Sequence, residues 1–486
     1  MKLTTLFSHS AQLNGFINKS GMPSDTIASN YFRSKKYIGS KERRFISETV
    51  FLTLRNKYLC TYCFEQAFPT IHLNKLNTEK LEFGAVLTAF YLAYNFKIDL
   101  NFDAEDLFNI LPDKKENNLQ VSLNSSLCEY FEITLKEAED ILRKIAEIFV
   151  NLNYDITALS PESELTPELL NQLSIRYSMD AWQIKELNRY ITKDNLLDLL
   201  SSLTQSAHLI LRLNTLNILR DDFIQYLNSL DKPAEKCSIS PVGVRILKRV
   251  KLDSFDFFKE GIVEVQDEGS QLISYALAPT ENTKILDACS GAGGKSLHIA
   301  SLTNDNSEIL AVDIDSRKLK ELERRAGRFG YKSIKTKTVR VKDINNNVNL
   351  SLSKEKFDFV LVDAPCSGMG TVRRSPMNKY KLTEILLQRL KENQLRILNY
   401  YSKFVADGGV LVYSTCSLMT QENQEVVKEF LQVNSGFELT PLSESFEKYS
   451  IKIPGLKKDD YFINLLPSVH GTDGFFIAKM RKKIND

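Results

Sequence analysis

Two apolar, β-branched segments, each followed closely by a cysteine, restrict the fold of this chain more than any other feature. Residues Phe357–Asp363 lead through an Ala-Pro pair into Cys366, and residues Gly409–Thr415 lead directly into Cys416. Runs of this kind are typical of parallel strands that are buried on both faces of a sheet. Ligands bind at the carboxyl ends of such strands. Each thiol is therefore a candidate nucleophile, with simple space filling as the alternative.

The same kind of strand alternates with helical segments throughout the last part of the chain. Strands are predicted over residues 284–288, 309–313, 338–341, 357–363, 409–415 and 474–480. Amphipathic stretches over residues 316–328 and 383–405 separate several of them. Such alternation predicts an α/β fold, a doubly wound Rossmann-like domain with a parallel sheet over residues 281–486.

The first part of the chain has a different pattern. Ile46, Val50, Leu54 and Tyr58 recur every four residues, which predicts a helical bundle over residues 1–155. Residues 156–280 combine helical segments with alternating ones near 242–250 and 262–265, which predicts a small α+β module. Three domains also agree with a length of 486 residues, at about 150 residues per domain.

Composition restricts the environment and the partners. A net charge of +2 neither requires nor excludes nucleic acid, so any basic surface must be local. Seven scattered cysteines are typical of a reducing cytoplasm and not of a disulfide framework. The start of the chain does not have the features of a signal peptide, and the longest apolar stretch, residues 81–96, is too short to span a bilayer. We expect a soluble cytoplasmic monomer.

Metal binding is not expected. Cys60 and Cys63 have the spacing of a metal-ligand pair, but they lie in a helical pattern with no second pair nearby, which favours buried packing. The five histidines are scattered and form no ligand pair.

A glycine-rich turn follows the first predicted strand of the last domain. Its glycines let a ligand approach the backbone, and the following helix start offers unpaired N–H groups. A phosphate-binding loop is the competing interpretation, but that pattern requires glycine at position 289, where this chain has cysteine. We expect the following residues to bind a cofactor: Cys289, Ser290, Gly291, Ala292, Gly293, Gly294 and Lys295.

The second predicted strand ends in two acidic residues. An acid at this place accepts hydrogen bonds from the ribose hydroxyls of a nucleoside cofactor, and we assign this role to Asp313. Asp315 is assigned to the cap of the next helix. The turn and the acid together indicate a nucleoside-containing cofactor without distinguishing a dinucleotide from S-adenosylmethionine.

With these residues in view, the region from about 260 to 482 closely resembles the catalytic domain of S-adenosylmethionine-dependent RNA cytosine-5 methyltransferases. The matching motifs, in order, are residues 265–271, the glycine-rich turn, 312–313, 363–368 with 373–376, 413–417 with 422–423, and 471–476. One departure stands out, because Ala292 occupies the place where that family usually has proline.

The resemblance implies the roles of individual residues. Cys416 corresponds to the nucleophile that attacks carbon 6 of cytosine, and Cys366 to the residue that assists release of the product. Asp363 corresponds to the contact with cytosine N3 and the amino group, and is also a cofactor contact. Lys295 lies at the start of a predicted helix, where a cation opposes the helix dipole and needs compensation, so we assign it to this carboxylate and to the substrate, with an exposed helix-start lysine as the alternative. Asp343 corresponds to a contact with the adenine end of the cofactor.

The front of the chain resembles, through short motifs at residues 42–50 and 211–214, the antitermination-factor-type RNA-binding domain and the following module of bacterial rRNA enzymes. Candidate phosphate contacts are Arg245, Lys248, Arg249, Arg373 and Arg374. Arg324, Arg325 and Arg328 are interpreted as a solvated helix face, with contact to RNA as the alternative.

The resemblance implies a methyltransferase that acts on RNA, with 16S rRNA as the expected substrate. A tRNA substrate is the nearest alternative. A DNA cytosine-5 methyltransferase would attack from the Pro-Cys motif and would not require a Thr-Cys cysteine. A catalytically idle RNA-binding assembly factor is the alternative of a different class, and the presence of Cys366, Cys416 and Asp363 disfavours it.

Overall fold

The computed structural model describes residues 1–68, 76–111, 118–157, 165–191, 193–247, 256–341, 344 and 355–484. The chain divides into two compact units. The first comprises Met1–Ala207 and Val372–Lys381, and the second comprises His208–Thr371 and Leu382–Asp486. The predicted boundaries near residues 155 and 280 fall inside these units, so the three-domain division stays a prediction.

Every regular element described in the first unit is a helix, as predicted for residues 1–155. The helices are Leu3–Lys19, Ser24–Ser34, Ser40–Arg55, Lys57–Ala67, Thr78–Phe96, Ala104–Asn109, Leu119–Phe131, Leu135–Thr157, Pro167–Tyr177, Ala181–Leu187, Lys193–Thr204 and Met377–Lys381. Ile46, Val50 and Leu54 form the predicted buried face of one helix. Tyr58 lies on the next helix, because a break at Asn56 ends the first one.

Aromatic side chains fill the core of the first unit. The rings of Phe7, Phe45 and Phe90 lie with their centroids 5.2–5.6 Å apart, a separation typical of tilted and edge-to-face pairs. Cys60 and Cys63 are both fully buried in the same unit. Their burial agrees with a packing role for this pair of thiols.

The segment Val372–Lys381 belongs to the first unit, although the residues on either side of it belong to the second. Its anchor is Lys379, whose amine is buried and donates to the carbonyls of Arg55 at 2.8 Å and Tyr177 at 3.2 Å. The Gln183 amide donates to the Lys379 carbonyl at 2.7 Å. Burial lowers the pKa of the Lys379 amine to about 7.

The second unit begins with a small antiparallel sheet. Its strands are β1 (Leu209–Leu213), β2 (Ala234–Lys236), β3 (Gly243–Ile246) and β4 (Val263–Val265), in the order β2-β3-β1-β4. The helices Arg220–Ser229 and Asp256–Lys259 accompany these strands. The predicted α+β character of this stretch is confirmed.

The main sheet has the strands β5 (Lys284–Ala288), β6 (Glu308–Asp313), β7 (Ile334–Thr338), β8 (Phe357–Asp363), β9 (Val405–Thr415), β10 (Phe437–Leu439), β11 (Phe462–Leu465) and β12 (Phe475–Lys482). Their order is β10-β12-β9-β8-β5-β6-β7, and β11 pairs with β12. The helices around them are Glu268–Leu277, Gly294–Leu302, Ser316–Phe329, Glu384–Ser402, Gln424–Val433, Ser443–Glu447 and Pro467–His470.

Both faces of the main sheet are buried. Ile285 and Leu361 pack into the apolar cluster on one face, whereas their neighbours Leu286 and Val360 pack into the cluster on the other. Successive side chains of a strand point to opposite faces, so this division is the packing of a two-sided sheet. The doubly wound, Rossmann-like fold is confirmed.

Two details of the predicted sheet are wrong. The strand expected over residues 338–341 is β7, Ile334–Thr338, which lies at the sheet edge and carries alternating lysines in place of an apolar run. The sheet is also not purely parallel. Strands β5 to β9 pair in parallel, but β12 runs antiparallel to β9, and β10 and β11 run antiparallel to β12.

Candidate active site

The glycine-rich turn leaves β5 with three residues in left-handed backbone conformations. The φ angles are 60° at Cys289, 56° at Gly291 and 85° at Gly293. A Cβ at Gly293 would lie 2.0 Å from the Leu322 side chain, so only glycine fits there. A Cβ at Gly291 would meet nothing within 4 Å. The turn therefore exposes backbone that a ligand can approach.

Asp313, at the end of β6, organises this turn. Its carboxylate is largely buried and accepts hydrogen bonds from the N–H groups of Gly291 and Asp315, both at 2.8 Å. A carboxylate oxygen has more than one lone pair, so each oxygen can still accept a further hydrogen bond. The ribose contact stays a prediction. Asp315 caps the next helix by accepting from the Arg317 N–H at 2.9 Å, as predicted.

Two guanidinium groups support the same turn from outside. Arg212 of β1 is fully buried and donates to the carbonyl of Gly294. Arg325 donates to the carbonyl of Ala292 and pairs with the buried Glu264 at 2.9 Å. These bonds hold the backbone of the turn at Ala292 and Gly294.

The interpretation of the arginine helix as a solvated face is therefore wrong for two of its three residues. Arg325 and Arg328 both pair with Glu264, and their side chains are only 14% and 11% exposed. Only Arg324 is solvated, with a 64% exposed side chain that pairs with Glu321. The alternating pattern could not reveal a buried carboxylate on β4 opposite this helix.

Asp363 lies at the end of β8 between a cation and a hydroxyl group. The Lys295 amine is 2.6 Å from one carboxylate oxygen, and the Ser414 hydroxyl donates to the other at 2.8 Å. Burial lowers the pKa of the Lys295 amine, but the charge and hydrogen bond of Asp363 outweigh it and raise the pKa above its ordinary value. The predicted contact between Lys295 and this carboxylate is present.

The two thiols expected from the sequence meet at the same edge of the sheet. The Sγ atoms of Cys366 and Cys416 are 3.2 Å apart. Behind them, the Gly370 N–H donates to the Cys416 carbonyl at 2.9 Å, and the Gly474 N–H donates to the Gly370 carbonyl at 2.8 Å. A Cβ at Gly370 would lie 2.0 Å from the Gly474 oxygen, so these loops require glycine to pack this closely.

The surroundings of the Cys366 thiol disfavour its ionised form. The hydrogen bond to Cys416, burial, and the charges of Cys416 and Glu422 together raise the pKa of Cys366 well above its ordinary value. A thiol with a raised pKa stays protonated and is a weak nucleophile.

A further buried acid precedes the glycine-rich turn and was not among the predicted site residues. Asp287 of β5 is fully buried and accepts a hydrogen bond from the Ser296 hydroxyl. Burial raises the pKa of its carboxyl group to about 7. The signal in the sequence was an aspartate inside a predicted strand, with apolar residues on both sides.

The remaining candidates are Asp343, Arg245, Lys248, Arg249, Arg373 and Arg374. Asp343, Lys248 and Arg249 lie outside the described residues. Arg245 pairs with Glu235 at 3.2 Å and stays a candidate for RNA contact.

Arg373 and Arg374 belong to the first unit. Arg373 is 6% exposed and donates to the Ser206 carbonyl at 3.3 Å, which favours a structural role for it. Arg374 is partly exposed, and the phosphate contacts of both residues stay predictions.

Comparison with known proteins identifies the family. The profile of the 16S rRNA methyltransferase RsmB/F family matches residues 274–481. The chain is 31% identical over 311 residues to the probable ribosomal RNA small subunit methyltransferase B of Synechocystis, covering 64% of this chain and 68% of that protein. The chain belongs to this family.

A second relative and two solved structures are also similar to this chain. The probable ribosomal RNA small subunit methyltransferase B of Bacillus subtilis is 36% identical over 273 residues, covering 56% of this chain and 59% of that protein. The chain thus spans less than two thirds of that relative. The crystal structure of PH0851 covers 99% of this chain and all of its own, with a TM-score of 0.69 at 21% identity, a likeness of fold. A methyltransferase homolog from Pyrococcus horikoshii is 25% identical over 65% of this chain and all of its own, with a TM-score of 0.54.

The family depends on S-adenosylmethionine, which confirms the cofactor expected from the sequence. The turn at Gly291 and the carboxylate of Asp313 fit this cofactor, because they combine an open backbone surface with an acceptor for hydroxyl groups. The described residues include no cluster that could hold a metal ion. No helix in the described ranges has the length and apolar character needed to cross a bilayer.

Proposed function

We propose that this protein transfers a methyl group from S-adenosylmethionine to carbon 5 of a cytosine in 16S rRNA. In this proposal Cys416 forms a covalent bond to carbon 6 of the base, and Cys366 assists its release. The observation that carries the proposal is the 3.2 Å separation of the two Sγ atoms, beside the ion pair of Lys295 and Asp363.

The chemistry explains why a thiol is needed. Carbon 5 of cytosine is a poor nucleophile, so direct methylation would be slow. Addition of the Cys416 thiolate to carbon 6 makes an enamine-like ring whose carbon 5 is electron-rich. Bound S-adenosylmethionine supplies the methyl group from its sulfonium. A water molecule then takes the carbon 5 proton, and the electrons of that C–H bond form the carbon 5–carbon 6 double bond as the Cys416 thiolate departs with the carbon–sulfur bonding pair, which restores the aromatic ring and the free enzyme.

Asp363 and Lys295 supply the polar contacts of this proposal. The ring accumulates negative charge when the thiolate adds, and a proton shared with N3 relieves it. The Asp363 carboxylate, oriented by Lys295 and Ser414, is suited to hold that proton and the exocyclic amine. Positioned acid–base groups of this kind contribute about 10² to 10⁴ in rate.

The raised pKa of Cys366 supports its assignment to release. Its thiol remains protonated beside Cys416, so it does not compete for carbon 6. A neutral group next to the departing sulfur can exchange a proton with it as the carbon–sulfur bond breaks.

Membership of the family supports rRNA as the substrate. The relatives in Synechocystis and Bacillus subtilis are both called ribosomal RNA small subunit methyltransferase B. The helical first unit supports the same proposal, because the resemblance of its motifs implies binding to RNA. We expect action in the cytoplasm, where ribosomal RNA is modified.

The test uses the variants Cys416→Ala and Cys366→Ala with transcribed 16S rRNA and S-adenosylmethionine. Cys416→Ala should abolish both 5-methylcytosine and any covalent complex, because no other group adds to carbon 6. Cys366→Ala should allow addition and methylation but slow elimination, so a complex that survives a denaturing gel should accumulate. Cys128→Ala, at a partly buried thiol in the first unit, is the matched control and should behave as the wild type.

A covalent complex formed by the Cys416 variant would reverse the assignment of the two thiols. Bisulfite sequencing of the product measures methylation at carbon 5 directly. The same assay with bulk tRNA separates the two substrate classes, since methylated tRNA with unmodified 16S rRNA would overturn the rRNA proposal.

A further inference from the structure

A buried carboxyl group lies behind the two thiols and has no role in the chemistry above. Glu422 is completely inaccessible to solvent and ends the short helical turn Thr420–Glu422. It accepts hydrogen bonds from the Ser367 N–H at 2.8 Å, the Gln394 amide at 2.9 Å, and the hydroxyls of Ser367 and Ser417. A buried carboxyl group is stable only with such compensation.

The partners of Glu422 connect the two segments that carry the cysteines. Ser367 directly follows Cys366, and Ser417 directly follows Cys416. The hydroxyls of the two serines are also 3.1 Å from each other. We call these contacts of Glu422 with Ser367, Ser417 and Gln394 the Glu422 network.

Gln394 extends the network to the other side of Cys366. Its amide donates both to Glu422 and to the carbonyl of Pro365 at 3.0 Å. The backbone before and after Cys366 is thereby held by one buried pair of side chains.

The Cys416 segment is held in the same way. The Asn423 amide donates to the Ser417 carbonyl at 2.9 Å, and its oxygen accepts from the Thr415 hydroxyl at 2.5 Å. The Tyr413 hydroxyl donates to the Glu422 carbonyl at 2.6 Å. The backbone on both sides of Cys416 is therefore attached to Glu422 and Asn423.

We propose that Glu422 is a positioning residue, which holds the Cys366 and Cys416 segments so that the releasing thiol stays within reach of the sulfur bonded to the base. The proposal rests on the function proposed above. Glu422 touches neither the substrate nor the cofactor in this role. It acts through Ser367 and Ser417 on the distance between the two sulfur atoms.

The geometry predicts that an amide can replace the carboxylate. The oxygen of a glutamine could accept from Ser367 N–H and Gln394, and its two N–H groups could donate to the two serine hydroxyls. Glu422→Gln should therefore retain the network without its charge, whereas Glu422→Ala removes every contact. Glu429→Gln is the control, because Glu429 pairs with Lys391 and its side chain is 42% exposed.

The first measurement needs no RNA. Diamide oxidises two adjacent thiols to a disulfide and is itself reduced to a hydrazine that takes up both thiol protons. We expect the disulfide between Cys366 and Cys416, mapped by peptide mass spectrometry, to form at least about tenfold more slowly in Glu422→Ala than in the wild type. Glu422→Gln and Glu429→Gln should form it at close to the wild-type rate.

The second measurement follows single turnovers with 16S rRNA. Glu422→Ala should bind S-adenosylmethionine normally and form the covalent complex, but should resolve it at least about tenfold more slowly. Unchanged cofactor affinity shows that the variant is folded. Equal rates of disulfide formation and of complex resolution in Glu422→Ala and wild type would overturn the proposal. The proposal would also be overturned if these two rates were as low in Glu422→Gln as in Glu422→Ala, because the charge of Glu422 and not its hydrogen bonds would then be decisive.

The two proposals can fail separately. Absence of 5-methylcytosine with the wild-type protein would refute the proposed function, while the diamide assay would still test the position of the thiols. Normal methylation with an unaffected Glu422→Ala variant would refute only the role of Glu422.

Discussion

Replacement of Asp287 by asparagine should change how the stability of the second unit depends on pH. The Asp287 carboxyl group is fully buried, and one of its oxygens has no hydrogen-bond partner among the described residues. Burial raises its pKa to about 7, against the lowering effects of the Ser296 hydroxyl and the Lys295 charge. The charges of Asp363 and Asp313 raise it further.

The direction of the effect follows from proton binding. An aspartate in the unfolded chain has a pKa of about 3.9, so between about pH 4 and pH 7 the folded state holds a proton that the unfolded state has released. The free energy of unfolding therefore falls as the pH rises through this window and is constant above it. The difference in pKa corresponds to at most about 4 kcal/mol.

Asp287→Asn removes the ionisable group with little change of shape. The free energy of unfolding of the variant, minus that of the wild type, should be larger at pH 8 than at pH 5 by roughly 2–4 kcal/mol. Urea unfolding at both pH values, with hydrogen exchange of a peptide spanning β5 as the local probe, measures this difference. Asp256→Asn is the control, because the Asp256 side chain is 82% exposed and pairs with Lys259. If the free energies of unfolding of Asp287→Asn and wild type differed by the same amount at both pH values, the raised pKa of Asp287 would be refuted.

Two further predictions concern single side chains. Asp313→Ala should weaken the binding of S-adenosylmethionine by about 1–3 kcal/mol, because it leaves polar groups unpaired, and unchanged affinity in calorimetry would exclude Asp313 from the ribose contact. The free energy of unfolding of the first unit should rise between about pH 7 and pH 10, because the folded state releases the Lys379 proton at lower pH than the unfolded chain. Lys379→Met should abolish this rise. Fluorescence of Trp182, the only tryptophan, follows unfolding of that unit, and a rise retained by the variant would contradict the assignment.

Much of the main sheet was predictable from the sequence. The observed bounds of β5 and β8 are those predicted, because strands buried on both faces are continuous apolar runs with sharp ends. The proximity of Cys366 and Cys416 was also predictable, because neighbouring parallel strands end at the same edge of the sheet.

Strands and side chains outside the doubly buried part were harder to predict. Edge strand β7 carries lysines, so a prediction based on apolar residues placed this strand at the wrong position. A short run of residues also does not reveal strand direction, and β12 is antiparallel to β9. The pairing of Arg325 and Arg328 with Glu264 depends on a strand far away in the chain.

Side-chain type and the periodicity of strands and helices are local properties, so they were enough to predict which chemical groups lie at the ends of the strands. How these groups act on each other depends on the folded chain. Distances such as that between the two sulfur atoms, the burial that raises the pKa of Asp287 and Cys366, and the contacts of Glu422 with Ser367 and Gln394 all arise between segments that are separated in the chain. Hydrogen bonds and desolvation depend on these distances and on burial, which exist only after the segments have packed together.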